Sequence, residues 1–207
     1  DGSLFYSDNA TPPVEFPVPS TPSFFFGNTI VVNGKIWPCF EVEPRKYRFR
    51  ILNASNTRGY SLKLSNGGVF HQIGTELGLL HHPVTIDSFI LEPAERIDLI
   101  IDFSEYKGQE IILRNDPAAP PGPGLDQIMK FKVGYEVTCP DTSTIPEHLM
   151  PFHEIRAELA AKERTMNLDE TTDHYGRALH LLNDRMWTDP ATEKPKLDSI
   201  EIWHLVN

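Results

Sequence analysis

From Arg45 onward, apolar and charged side chains alternate in the way that extended backbone requires. Tyr47, Phe49 and Ile51 interleave with Lys46, Arg48 and Arg50, and Ile97, Leu99, Ile101 and Phe103 with Arg96, Asp98 and Asp102. Met129, Phe131 and Val133 do the same against Lys130 and Lys132. A period of two sends alternate residues to opposite faces, so each run predicts a strand with one buried and one wet face. With turn signals at Asn33-Gly34, Asn66-Gly67-Gly68 and Lys107-Gly108, the pattern predicts strands over 29–32, 45–53, 60–65, 69–74, 84–91, 96–103, 110–114 and 128–133. In 84–91 the apolar phase inverts near Ser88, which predicts a bulge or bend. Short strands at this spacing imply an all-β, Greek-key β-sandwich over residues 24–135.

The flanks follow other rules. Residues 1–23 are rich in proline and lack periodicity, as in an extended interdomain linker. Residues 136–164 read as a connector carrying a short helix over 153–164, with Ile155, Leu159 and Ala160 on one face and Glu154, Arg156, Glu158 and Lys162 solvated. Beyond it, strand-like pieces at 165–168, 178–183 and 199–206 are too few to bury both faces of a sandwich. Residues 165–207 therefore read as the first strands of a second, incomplete sandwich.

Composition narrows the function classes. A chain of 207 residues allows one or two domains with a substantial core, and 18 prolines and 13 glycines suit a loop-rich β protein. The formal charge of −10 argues against a nucleic acid partner, which would need a basic face. No apolar run reaches the roughly 20 residues of a membrane helix, so no membrane partner is expected. The opening DGSLFYSDNA is not signal-like. Cys39 and Cys139 lie in unrelated segments and are expected to be free thiols, leaving the redox compartment open.

Candidate chemistry is sparse. The eight histidines, His71, His81, His82, His148, His153, His174, His180 and His204, include no pair two apart, and neither cysteine has a neighbouring histidine. Adjacent strand residues point to opposite faces, so His81-His82 is poor chelating geometry. His71 shares a strand face with Val69 and Ile73 and reads as a partly buried, hydrogen-bonded residue; His148 and His153, five apart around Pro151, read as solvated. No Gly-X-Ser-X-Gly elbow is present, Cys39 has no nearby base, and Asp98 and Asp102 read as surface charge. No catalytic residue and no metal ligand is assigned.

The stretch Ile30 to Arg58, IVVNGKIWPCFEVEPRKYRFRILNASNTR, resembles the middle cupredoxin domain of bacterial multicopper oxidases of the spore-coat laccase and bilirubin oxidase type. Gly67-Gly68, Gln72-Ile73-Gly74, Leu91 to Arg96 and Asp98 to Phe103 fit the same family in the same order. The resemblance implies copper in the complete enzyme, phenolic or bilirubin-like donors, and oxygen reduced to water. It also implies the remaining cupredoxin domains as partners, and a spore coat or other bacterial compartment as location. The His-X-His and His-Cys-His copper motifs of the family are absent, so this segment itself is expected to bind no copper and to be structural. A segment like Ile200 to Asn207 opens the third cupredoxin domain in that family, just ahead of its copper-ligating histidines. The loop 115–126, NDPAAPPGPGLD, corresponds to one near the substrate pocket, which makes Asp116, Pro120, Pro121 and Gly124 candidates for the pocket edge. The rival class is a non-enzymatic β-sandwich binding or scaffold module.

Overall fold

Strong alternation in two central runs produces the two central strands. Tyr47 to Ile51 and Ile97 to Ile101 lie on the paired antiparallel strands β4 (Lys46–Leu52) and β9 (Arg96–Asp102), with Phe49 opposite Leu99 and Ile51 opposite Ile97. The computed structural model describes residues 26–174, 176 and 178–207, so the linker expected over 1–23 lies outside the described residues. The chain divides into two units, one spanning Phe24–Phe152 and the other containing His153–Asn207.

The first unit is a β-sandwich. After a small hairpin of β1 (Val31–Val32) and β2 (Lys35–Ile36) come β3 (Cys39–Val42), β4, β5 (Tyr60–Leu64), β6 (Phe70–Gly74), β7 (Leu79–Ile86) and β8 (Ser88–Leu91). They are followed by β9, β10 (Glu110–Asn115) and β11 (Gln127–Val133). One sheet has the order β3-β11-β10-β5-β8 and the other β4-β9-β6-β7. Between the sheets, Phe103 and Phe131 meet at 5.2 Å between ring centres and Phe49 meets Phe131 at 5.5 Å, all inside a continuous apolar cluster. The charged alternates face water as paired groups: the Arg48 guanidinium donates to Asp98 at 2.9 and 3.2 Å, and Lys46 lies 3.6 Å from Asp102. Asp98 and Asp102 are therefore cross-strand ion-pair partners.

The inversion near Ser88 marks a change of sheet. β7 belongs to the four-stranded sheet, Asp87 breaks the run, and β8 continues in the five-stranded one. Ile86 and Phe89 both pack on the core although three positions separate them, which is the phase slip seen in the sequence. Two short strands, β2 and β3, fall outside the expected set. β3 pairs in parallel with β11, some 90 residues away, Cys39 opposite Lys130 and Val42 opposite Val133, a partnership no local pattern announces.

The helix expected over 153–164 is a correction: only a single 3-10 turn, Ala157–Leu159, is present, and none of its residues is buried. The strand β12 (Lys162–Thr172) claims the last residues of that run through its parallel ladder to β14 (Glu201–Val206), Lys162 opposite Glu201. What remains is shorter than the roughly 12 residues that hold a helix in water without a packed face. The second unit is thus a three-stranded sheet in the order β13-β12-β14, with β13 (Ala178–Leu182) antiparallel to β12.

Candidate functional site

The loop joining β10 to β11 is built from its buried polar residues outward. Asn115, the last residue of β10, is wholly buried; its side-chain amide donates to the Leu125 carbonyl at 3.0 Å and its side-chain oxygen accepts from the Ser61 amide at 2.9 Å. Its own backbone amide donates to Asp126 at 2.9 Å, so one asparagine clamps both ends of the loop. Leu125 is buried beneath it and Ala118 packs on the core. The Asp116-Pro117 and Ala119-Pro120 peptide bonds are cis.

Arg58 is the second clamp. Only 4% exposed, it donates from one terminal nitrogen to the carbonyls of Ala119 at 3.0 Å and Pro120 at 2.9 Å, and from the other to Gly27 at 2.9 Å. Its guanidinium also sits 5.5 Å over the Phe26 ring. Asn53 fixes the turn that presents it, donating to the Arg58 carbonyl at 2.7 Å and to Leu91 at 2.9 Å. A buried cation is tolerated because both terminal nitrogens have carbonyl acceptors.

The four candidate pocket-edge residues have different roles in this frame. Asp116 is exposed and bonds Lys63 at 2.6 Å; that ammonium holds its carboxyl below the ordinary aspartate range. Pro120 and Pro121 are exposed, and the Pro120 carbonyl is the one that Arg58 binds. Gly124 lies beneath Trp37, whose indole N–H donates to its carbonyl at 3.1 Å. Its φ of +74°, and the 2.9 Å at which an added Cβ would meet the Trp37 ring, explain glycine there. Asp116, Pro120 and Pro121 are thus exposed on the loop, while Gly124 packs beneath Trp37. A depression of about 640 Å³ lies elsewhere, among Pro44, Ser104, Lys107, Tyr135 and Asp141, and the loop does not line it.

The connector after β11 is strapped to the sandwich. Asp141 accepts from the backbone amide of Lys46 at 3.0 Å and from that of Ser143 at 2.9 Å. The Ser143 side chain, with these amides, holds its carboxyl far below the ordinary range. Farther along, the connector delivers His148 to His81 and His82. The ring centres of His82 and His148 are 4.5 Å apart and those of His81 and His82 4.0 Å. The expectation that the adjacent pair points apart is corrected, because the ladder breaks there. Gln72 pairs with Val84 and Gly74 with Leu79, so four residues of β7 oppose one of β6 and the alternation lapses. Pro83, unable to donate to a ladder, is the sequence signal for that bulge. His71 stays on β6, half-buried, with its Nδ1 3.2 Å from the Thr85 hydroxyl.

Cys39 and Cys139 are exposed free thiols. A blue-copper centre needs two imidazoles and a thiolate. Among the described residues, the three-residue group of candidate ligands is His81, His82 and His148, which includes no thiolate. Among the described residues this group therefore does not fit a blue-copper centre, and no step through copper is built on it.

No family model matches the chain. It is 48% identical to a laccase of Bacillus subtilis (strain 168) in an alignment of 211 positions that covers all of this chain and 41% of the relative. Identity to a laccase of Bacillus stratosphericus is 47%, again over the whole chain and 42% of the relative. Identity to the multicopper oxidase LPR2 of Arabidopsis thaliana is 34%, over the whole chain and 36% of that protein. The chain spans about two fifths of the length of the curated relatives it matches. Among solved structures, the McoA multicopper oxidase of Aquifex aeolicus superposes with a TM-score of 0.70 at 28% identity, over 88% of this chain and 42% of that one. A laccase of Pediococcus acidilactici gives 0.66 at 27%, over 84% and 35%. Sequence likeness over the whole length and a shared cupredoxin-like sandwich lead to one assignment: the chain is a fragment of a bacterial laccase-type multicopper oxidase.

Proposed function

We propose that this chain is the middle cupredoxin-like domain, residues 24–135, with a connector over 136–164 and the first strands of a third such domain over 165–207. Its share in the oxidase is mechanical: it spaces the copper-bearing domains and offers the 115–126 rim, through Asp116, Pro120 and Pro121, as one edge of the substrate pocket. The complete enzyme takes single electrons from phenolic or bilirubin-like donors and reduces oxygen to water. Copper and oxygen chemistry belong to the domains that flank this one, and by resemblance the location is a spore coat or another bacterial compartment.

The observation that carries the reading is the doubly clamped loop. Arg58 and Asn115 spend buried polar groups on fixing an exposed, proline-rich rim, and a plain connector needs no such anchorage. The state of the second unit favours the same reading over a self-sufficient scaffold module. Trp203 is 42%, Leu205 69% and Val206 50% exposed on β14. A stand-alone module blunts such an edge with charge.

The test is a chimera in which these residues replace the aligned two fifths of the Bacillus subtilis laccase. A soluble, copper-loaded chimera is expected to oxidise a phenol with oxygen uptake. Asp116→Ala or Pro121→Gly in the chimera is expected to change KM for the donor more than kcat. A copper-loaded chimera without activity refutes the mechanical role, and unchanged KM values in both variants refute the rim.

A further inference from the structure

We propose that His81, His82 and His148 form a surface site for one divalent transition ion of the imidazole-preferring class, such as zinc, separate from the copper chemistry of the oxidase. One ligand atom from each of the three lies within 4.8 Å of the others, and all three residues are exposed. Exposure alone would make them three solvated rings; their hydrogen bonds set them apart.

The Nδ1 of His81 lies 2.6 Å from the Met150 carbonyl and that of His82 lies 2.7 Å from the Glu147 carbonyl. A carbonyl can only accept, so each Nδ1 carries the proton and donates it. In the neutral ring this leaves the Nε2 lone pair of both histidines unprotonated and turned away from the backbone. Imidazoles that bind metal use this arrangement, one ring N–H held by a carbonyl and the other nitrogen facing the ion. Both carbonyls belong to the segment that carries His148, and the Leu149 amide donates to the His81 carbonyl at 2.9 Å. The connector and the bulge of β7 are therefore tied to each other on either side of the third ligand.

A tetrahedral ion with Zn–N bonds of about 2.0–2.1 Å holds its nitrogens about 3.4 Å apart, so exposed side chains need only modest rotations to close on it. Water completes the fourth position. The ion would staple residue 148 to residues 81 and 82 and so lock the connector onto the sheet.

The experiment uses the full chain with both thiols removed (Cys39→Ser, Cys139→Ser) and titrates Zn(II) alone by calorimetry near neutral pH. One equivalent is expected to bind, with affinity falling at least tenfold in His82→Gln and in His148→Gln and staying unchanged in His204→Gln, which alters an exposed histidine on β14. Hydrogen exchange of the Leu149 amide is expected to slow when zinc is added to the parent and not to slow in His148→Gln. Absence of saturable one-to-one binding overturns the site. So does full affinity in either His82→Gln or His148→Gln, or an equal loss in His204→Gln.

Discussion

Replacing Arg58 with methionine tests the buried clamp, because an apolar stem of similar length stays while the guanidinium goes, with its donors and its contact over Phe26. Three bonds of 2.9 to 3.0 Å are lost, to Gly27, Ala119 and Pro120. Bonds from a charged donor contribute roughly 1.5–3 kcal/mol each, which would set an upper bound of about 5–9 kcal/mol. Two effects cut that figure. Ala119 and Pro120 are exposed, so their carbonyls can turn to water. Removing a buried guanidinium also relieves a desolvation cost of several kcal/mol, the reason buried charges can be replaced by apolar isosteres at little loss. A net destabilisation of about 2 kcal/mol remains, concentrated in the loop. Arg58→Lys, with one compact ammonium in place of a fork, should recover less than half of it. Urea unfolding gives the total. Hydrogen exchange at the Leu125 and Gln127 amides, which donate to Gly122 and Gly124 inside the loop, gives the local part. If Arg58→Met unfolds within about 0.5 kcal/mol of the parent and both amides keep their protection, Arg58 is not what holds the rim.

Two further outcomes follow from the same geometry. Gly124→Ala should cost about 1–2 kcal/mol for a side chain at φ +74° and push the Trp37 ring off its carbonyl, which a red-shifted Trp37 emission in a background lacking Trp187 and Trp203 would report. Asp141 titrates lower in the folded chain than its ordinary value near 3.9, so its strap is fully present above that value and is lost as pH falls below it towards the folded value. Limited proteolysis should find the connector protected at pH 5 and cut progressively faster below about pH 4, whereas Asp141→Asn should be cut quickly at both.

The sandwich was legible because its inner faces are periodic. Ile97, Leu99 and Ile101 are buried while Asp98 and Ile100 are only partly so, and the phase slip at Ser88 turned out to be the step from one sheet to the other. The parts that were not legible depend on distance or on broken rhythm. Nothing near Arg58, in an Asn-Thr-Arg-Gly turn, reveals that its guanidinium reaches carbonyls some 60 residues on. Likewise β3 is a strand through its parallel ladder to β11. His81 and His82 were misread by applying alternation where a bulge suspends it, although Pro83 beside them was the available warning.

The two units are held by different forces, and this bears on how the chain divides its work. Of the buried apolar residues, Met166 alone belongs to the second unit among the described residues; the rest lie in the sandwich. The second unit relies on polar joints instead. The Arg164 guanidinium donates to both oxygens of Glu201, at 2.6 and 3.1 Å, and to Glu193, while the Trp203 indole donates to the same Glu201 at 3.0 Å. Asn183 ties β13 to β12, accepting from the Asn167 amide at 2.8 Å and donating to the Thr165 carbonyl at 3.2 Å. Polar joints fix register and direction well, because each donor must find its acceptor, but they contribute less net stability than apolar burial. A sheet built this way is positioned before it is stabilised. That suits strands whose exposed apolar face, Leu168, Leu182 and Leu205 among its members, still needs a cover. The sandwich, with a complete core, can carry the clamped and exposed 115–126 loop.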